Sequence, residues 1–214
     1  MPKVKAQVSV SLDGYMAGPD QSVENPLGEG AEALHEWALK LATWRDAHGR
    51  EGGEGEENPS SAVLAAAQEN IGAVVMGRNM FGPVRGDWPD EDWKGWWGED
   101  PPFHCPVYVL THHPREPFEL EGGTSFHFVT GGIEQAMAEA KEAADDQDVS
   151  VGGGAYTLQQ SMIAGLLDEI LVSQVPVVLG AGERLFDHLP THVKAELLSV
   201  VEGPEALHLT YRLA

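Results

Sequence analysis

Three short segments of this 214-residue chain each run from apolar residues into a turn that could hold an anion. In the first, Val149-Ser150-Val151 leads into Gly152-Gly153-Gly154 and then Ala155-Tyr156-Thr157. Glycine lets the backbone approach a diphosphate without a Cβ clash, and a following helix offers unpaired N–H groups carrying about half a positive charge. A tight strand-to-helix turn is the simpler reading of the same residues. The spacing is not G-x-G-x-x-G, so an ordinary Rossmann fingerprint is not supported.

The second segment, Ala73 to Gly77 followed by Arg78-Asn79-Met80, repeats the pattern and adds one cation. Two such ends side by side would grip both sides of a diphosphate, although Arg78 alone fits a surface ion pair equally well. The third, Leu110-Thr111-His112-His113-Pro114-Arg115, offers a hydroxyl, two imidazoles and a guanidinium suited to a ribose or phosphate. A metal pair is disfavoured there, because adjacent histidines at a strand end point apart and no third ligand is nearby. Ser11-Leu12-Asp13-Gly14-Tyr15-Met16-Ala17 places one carboxylate just past an apolar strand. Asp13 there closes an Asx-type turn or, if the strand borders a cleft, meets substrate. Trp37 and His35 are similarly two-sided, one between core and cleft, the other between surface and cleft. Nucleophile elbows, H-E-x-x-H, phosphate-binding G-x-x-x-x-G-K-[ST] and C-x-x-C are all missing, which leaves chemistry that needs no protein nucleophile, hydride transfer foremost.

Composition narrows the partners. A formal charge of −21, from 34 acidic and 13 basic residues, repels nucleic acid and anionic membranes. It also opposes a dinucleotide, so such a site must carry its own local donors. No apolar run approaches the roughly 20 residues of a membrane span and no signal-like start is present, which predicts a cytoplasmic protein. Cys105 is a single cysteine and reads as an ordinary small side chain.

The elements that would position these residues follow from periodicity. Alternation predicts a first strand over 4–12, and Leu34, Trp37, Ala38, Leu41 and Trp44 predict one helix over 31–47. The acidic, glycine-rich stretch 49–59 predicts an exposed, mobile loop. A helix over 60–69, strands at 73–77, 107–110, 126–129 and 149–151, and helices at 133–144 and after Gly154 follow. The segment 83–106, with Trp88, Trp93, Trp96 and Trp97, predicts an irregular lobe pinned by aromatics. A strand at 169–176 and two strands around Gly203-Pro204 end the chain. The whole predicts one α/β domain with a mixed, mostly parallel sheet flanked by helices and finished by an antiparallel hairpin.

Taken in order, Ser11-Leu-Asp-Gly14, Val75-Met-Gly-Arg78, Val109-Leu-Thr111, Gly152-Gly-Gly-Ala155, Gly165 to Ile170, Pro176 to Gly182 and Leu185-Phe186 resemble the reductase domain of bifunctional riboflavin-biosynthesis deaminase-reductases. The likeness extends over nearly the whole chain and is closer still to stand-alone bacterial members of that group, which share the Leu34-His-Glu-Trp37 helix. The resemblance implies a dihydrofolate-reductase-like fold, NADPH across the strand ends, a small heterocyclic or carbonyl/imine substrate and a homodimer. It places Ala17, Gly77, Arg78, Asn79, Gly152, Gly153, Gly154, Ala155, Tyr156 and Thr157 on the cofactor, Thr111 and His112 on its adenosine side, and Asp13 and Trp37 beside the substrate as catalytic candidates. No zinc-deaminase signature is present. The helix-borne acid of dihydrofolate reductases has no good match, Glu36 being the nearest, so dihydrofolate reduction stands as an alternative, as does a nicotinamide-nucleotide-binding protein without turnover.

Overall fold

A computed structural model describes residues 2–49, 55–82, 86–90, 92–190 and 192–214. The strands are β1 (Val4–Val10), β2 (Tyr15–Ala17), β3 (Ile71–Gly77), β4 (Pro106–Leu110), β5 (Phe118–Glu119), β6 (Ser125–Val129), β7 (Asp148–Gly153), β8 (Glu169–Gln174), β9 (Glu183–Arg184), β10 (Ala195–Glu202) and β11 (Leu207–Leu213). Nine of them form one sheet in the order β10-β11-β8-β1-β7-β3-β4-β6-β5, and β2 pairs with β9. The six strands from β8 to β6 run parallel, while β11, β10 and β5 pair antiparallel. This is the mixed, mostly parallel sheet with a terminal hairpin that the sequence predicts, and it carries the carboxyl ends of six strands on one edge.

Helices α5 (Ile133–Ala144) and α6 (Ala155–Ile163) cover one face. Ile133, Ala136, Met137, Ala140 and Ala144 of α5 recur at helical spacing and are buried against Ala73, Val75, Val149 and Val151 of β3 and β7. The opposite face has two separate covers. Around Trp37, Leu34, Leu41, Leu64, Val175 and Ala206 a smaller core closes over β8 and β11. Around Phe81, Phe126, Val107 and Val109 a second one closes over β3, β4 and β6, joined by Trp88, Trp93 and Trp97. The latter is the aromatic lobe the sequence predicts: Phe81 meets Trp88, Phe126 and Phe128 edge-on, and the Trp93 indole donates to the Phe81 carbonyl at 2.9 Å. Residues 83–85 and 91 of that segment lie outside the described ones.

The helix expected over 31–47 is broken into a 3-10 turn (Ala31–Leu34), α1 (Glu36–Leu39) and α2 (Ala42–Ala47). Leu41 is extended (φ −72°, ψ 139°) because tertiary pairing outweighs helix propensity there: the Ala42 N–H donates to the Glu56 carbonyl at 3.0 Å and the Glu56 N–H to the Lys40 carbonyl at 2.8 Å. A Cβ at Gly55 would lie 2.5 Å from the Ala42 Cα, so this strap requires glycine. Part of the stretch expected to be a mobile loop is thus pinned; residues 50–54 lie outside the described ones. Asn58 then caps α3 (Pro59–Gln68), its Oδ1 accepting from the Ser60 N–H at 2.9 Å.

One polar chain runs through the smaller core. His208 on β11 is 1% exposed, with Nδ1 2.8 Å from the Ser173 hydroxyl and Nε2 2.8 Å from the Ser60 hydroxyl. It ties β8, β11 and α3 together, and Trp37 packs edge-on against its ring at 4.9 Å. Burial pushes the His208 pKa below its usual 6.5, so the folded state holds the ring neutral while the unfolded chain protonates near that value. Stability is therefore full above about pH 6.5 and falls as the pH drops from there toward the depressed folded-state pKa. Urea unfolding at pH 7.5, 6.5 and 5.5 should show this decline, and His208→Asn should be less stable at pH 7.5 yet lose less on acidification. Equal pH slopes in both proteins would remove His208 as the cause.

Candidate functional site

β3 and β7 are neighbours, with Met76 in register with Gly153, and β4 follows with Leu110 beside Gly77. The three segments singled out in the sequence therefore leave the sheet on adjacent strands at one edge. A Cβ at Gly77 would sit 2.5 Å from the Thr157 hydroxyl oxygen and 3.4 Å from the Gly154 nitrogen, so the first turn of α6 packs directly against the end of β3. At Gly154 the opposite holds: a Cβ there would meet nothing within 4 Å. The Gly153–Gly154 peptide is cis. Met16 and Met80 lie beside Gly153, each 3.7 Å from where its Cβ would be, and Met80 also closes on Gly152. Ala155 and Thr157 are buried and Tyr156 is 66% exposed.

Arg78 opens the short helix α4 (Arg78–Phe81). Its guanidinium lies 3.5 Å over the Trp88 ring and donates through Nη1 to the Gly82 carbonyl at 3.1 Å. Its Nε and Nη2 are buried with no hydrogen-bond partner among the described residues. Burial, and then the positive charge of Arg115, push its pKa below the usual arginine value. Arg115 stands in the same aromatic cluster, about 5 Å from the Trp88, Phe118 and Phe128 rings. Two guanidinium groups thus lie near each other among aromatic rings, an arrangement that suits a phosphate between or beside them.

The β4 exit is more self-contained than expected. Thr111 is buried and its Oγ1 accepts from the His113 N–H at 3.1 Å, holding the turn instead of pointing outward. His113 pairs with Asp87 at 2.9 Å, its carbonyl accepts from the Trp88 indole, and His112 is exposed. Two hollows flank the exits. One of about 390 Å³ is lined by Gly18, Pro19, Asp20, Gln21, Asn79, Gly182 and Glu183. The other, about 220 Å³, opens beside Arg115 at the end of β6, next to Phe128 and Thr130. Ala17 adjoins the first through Gly18 and pairs with Glu183 across β2 and β9. Sequence reasoning missed this cleft, because β2 and β9 are too short to show a period and come from distant parts of the chain.

Both catalytic candidates have partners within the fold. Trp37 is 4% exposed in the smaller core, and its indole N–H donates to the Ser9 hydroxyl at 3.1 Å. It forms a wall of the smaller core, held to β1 through Ser9. The Asp13 carboxylate accepts from the Ser11 hydroxyl at 2.6 Å and from the Leu179 and Gly180 N–H groups at 3.1 and 2.8 Å. Those bonds, the Ser11 hydroxyl first, lower its pKa to about 2, so it stays ionised at neutral pH and cannot supply a proton. It staples the 179–180 loop to the end of β1. Among the described residues no three His, Cys, Asp or Glu side chains converge as metal ligands, and no helix is long and apolar enough to cross a membrane.

Known structures share this architecture. A protein ascribed to riboflavin biosynthesis from Shewanella sp. PV-4 superposes with a TM-score of 0.64 at 20% identity, covering 99% of each chain. Dihydrofolate reductase from Enterococcus faecalis, solved with NADP(H), gives 0.52 at 15% identity over 99% of this chain and 96% of that one. The Thermotoga maritima diaminohydroxyphosphoribosylaminopyrimidine deaminase/5-amino-6-(5-phosphoribosylamino)uracil reductase gives 0.55 at 13% identity. All of this chain is covered, but only 57% of that longer protein. At such identities the likeness establishes the dihydrofolate-reductase-like fold alone. The sequence model of one family, however, matches residues 2–209, and on that match the chain belongs to the RibD C-terminal domain family.

Proposed function

We propose that the chain is an NADPH-dependent reductase acting on a C=N or C=O bond of a small, pyrimidine-like heterocycle. One observation supports this most: an open backbone at Gly154, just past the strand that neighbours β3, lies near Arg78, whose guanidinium has two buried nitrogens without a hydrogen-bond partner among the described residues. Leaving such donors dry costs on the order of 1–3 kcal/mol each, which a bound anion would offset. Family membership, and reductases among the proteins of like fold, agree with it.

In this reading the main chain at Gly77, Gly153, Gly154 and Ala155, with the start of α6, cradles the diphosphate, and Arg78 meets a phosphate oxygen. Thr111 shapes the turn that borders the adenosine half, His112 and Arg115 line it, and Ala17 and Asn79 border the nicotinamide half. When bound, the cofactor supplies a hydride to the electrophilic carbon and is itself oxidised, while the substrate's heteroatom gains a proton. The chain's part is to orient the two partners and exclude water. With Asp13 held ionised, the proton comes from water. The commitment of Asp13 to the 179–180 loop also favours a second reading, binding of the nucleotide without turnover, which a screen of NADPH oxidation distinguishes. Cytoplasmic location and a homodimer complete the proposal, with a small-molecule substrate and no nucleic-acid or membrane partner.

Gly153 has φ +128°, where any side chain is strained, but Gly154 has φ −74° and open space, so Gly154→Val is the cleaner probe. NADPH fluorescence titration should show at least a tenfold weaker affinity with an unchanged melting temperature; wild-type affinity would remove the diphosphate from this exit. Arg78→Met keeps apolar contact with Trp88 while deleting the donors. It should weaken NADPH and NADH alike, each about tenfold, equivalent to about 1.4 kcal/mol. Wild-type affinity for both would place the diphosphate elsewhere, and a loss confined to NADPH would move Arg78 to the 2′-phosphate.

A further inference from the structure

Of the two strands at the rims of the large sheet, β5 has two residues and β10 has eight. A short edge offers little to a second chain, whereas a long one presents a row of unpaired N–H and C=O groups. The Gly203 N–H donates to the Ala206 carbonyl at 2.9 Å, and bonded and non-bonded pairs alternate from there along the antiparallel ladder. Val200 and Glu202, opposite Leu209 and Leu207, therefore turn their main-chain N–H and C=O outward, away from β11. Seven of the eight residues of β10 are exposed, and among the described residues no strand pairs with its outer side.

The side chains of β10 are unlike those of a protected edge. Such edges carry lysine, proline or inward-pointing charges, but β10 reads Ala-Glu-Leu-Leu-Ser-Val-Val-Glu. Leu197 and Val200 are 52% and 54% exposed, and Leu198 between them 37%. The ladder slips by one residue between Leu197 and Ser199, and this bulge keeps Leu197 and Val200 on a single face, opposite Tyr211 and Leu209. Charge also favours a particular occupant. Glu196 is taken by Arg212 at 2.8 Å, which leaves Glu202 at one end of the strand and Lys194 just before the other. A chain of net charge −21 repels copies of itself over most of its surface. At β10, a second copy turned end for end would instead bring Glu202 of each strand to Lys194 of the other.

We infer that β10 is the interface between two copies of this chain. The two edges pair antiparallel about a two-fold axis between Leu198 and Ser199, with Leu197 of one strand opposite Val200 of the other, and the sheets of the two copies become one. Such an arrangement uses up both edges, so assembly stops at two. The inference rests on the homodimer of the proposed function and gives it a surface; cofactor and substrate do not enter it.

Sedimentation equilibrium on the full chain, with amide hydrogen exchange followed by NMR, tests it. The wild-type mass should be twice 23.1 kDa, and the outward amides of Val200 and Glu202 should exchange slowly. The double substitution Leu197→Lys/Val200→Lys sets like charges against each other across the axis. It should raise the dimer dissociation constant about a hundredfold and release the Glu202 amide to fast exchange, with NADPH affinity unchanged. Val200→Lys alone serves should the double variant fail to fold. Val23→Lys, at another exposed apolar residue, should leave the mass at two chains. A monomeric wild type, a mass above two chains, a dimer that survives both β10 variants or is lost in Val23→Lys, or fast exchange at Val200 and Glu202 within a dimer would overturn the inference. Failure of NADPH to bind would instead remove the reductase reading and leave the mass unaltered, which keeps the two failures apart.

Discussion

The contact between Gly77 and Thr157 sets the geometry on which the rest depends. β3 and β7 are parallel neighbours, and the helix after β7 must turn back over the sheet within a few residues. It does so by laying the side chain of Thr157 where residue 77 would carry a Cβ. A methyl group at position 77 would push α6 away from β3 and separate two exits that otherwise share one edge. Because six strands run parallel, their carboxyl ends collect on that edge, the position at which open α/β sheets generally bind ligands. The absence of a side chain at 77 and at 154 thus has two different consequences: the first is filled by protein, the second is left as space.

Charge makes the same edge distinctive. In a chain of 34 acids and 13 bases a cation has many carboxylates within reach, and Lys3, Lys5, Lys40, Lys94 and Arg212 all take one. Exposed pairs of that kind are worth little, roughly 0–1 kcal/mol, but they are the default. Arg78 departs from it, lying on Trp88 with Arg115 as the charge that most affects it. Holding two cations near each other in a desolvated aromatic cluster is unfavourable by itself. An anion supplied from outside reverses the sign of that interaction, and against a field of −21 such a local concentration is what a phosphate-bearing ligand requires.

Much of the framework was legible because it rests on local periodicity. β1, β3, β4, β6, β7 and α5 all show their apolar repeat directly, and the parallel order follows from alternating strands and helices. What was not legible depends on long-range contacts. Nothing near Leu41 marks a break in the helical pattern; the break is made by Glu56, across a stretch of low complexity. Trp37 reads equally as wall or as lining until Ser9 and His208 are seen to enclose it. Asp13 has the local environment of a turn residue, but its partners, Leu179 and Gly180, lie about 166 residues onward, and only their N–H groups reveal that its charge is already used. The adjacency of the Gly77 and Gly153 exits comes from the pairing of β3 with β7, strands far apart in sequence, and the buried donors of Arg78 required the aromatic lobe to be in place.

The half-buried strip of Gln7, Ser9 and Ser150 on β1 and β7 has a topological origin. Crossovers in a parallel sheet place their helices by handedness, and here α5 and α6 fall on one face and close it. The other face is covered by two excursions, residues 31–68 before β3 and the aromatic segment after it, which grow inward from opposite ends of the sheet. Each buries most of its own apolar residues, and neither has reason to extend past the point where its aliphatic and aromatic side chains run out. The strand residues left between them cannot be apolar without exposing a patch, nor ionised without a partner. Gln7, Ser9 and Ser150, uncharged and polar, satisfy both conditions.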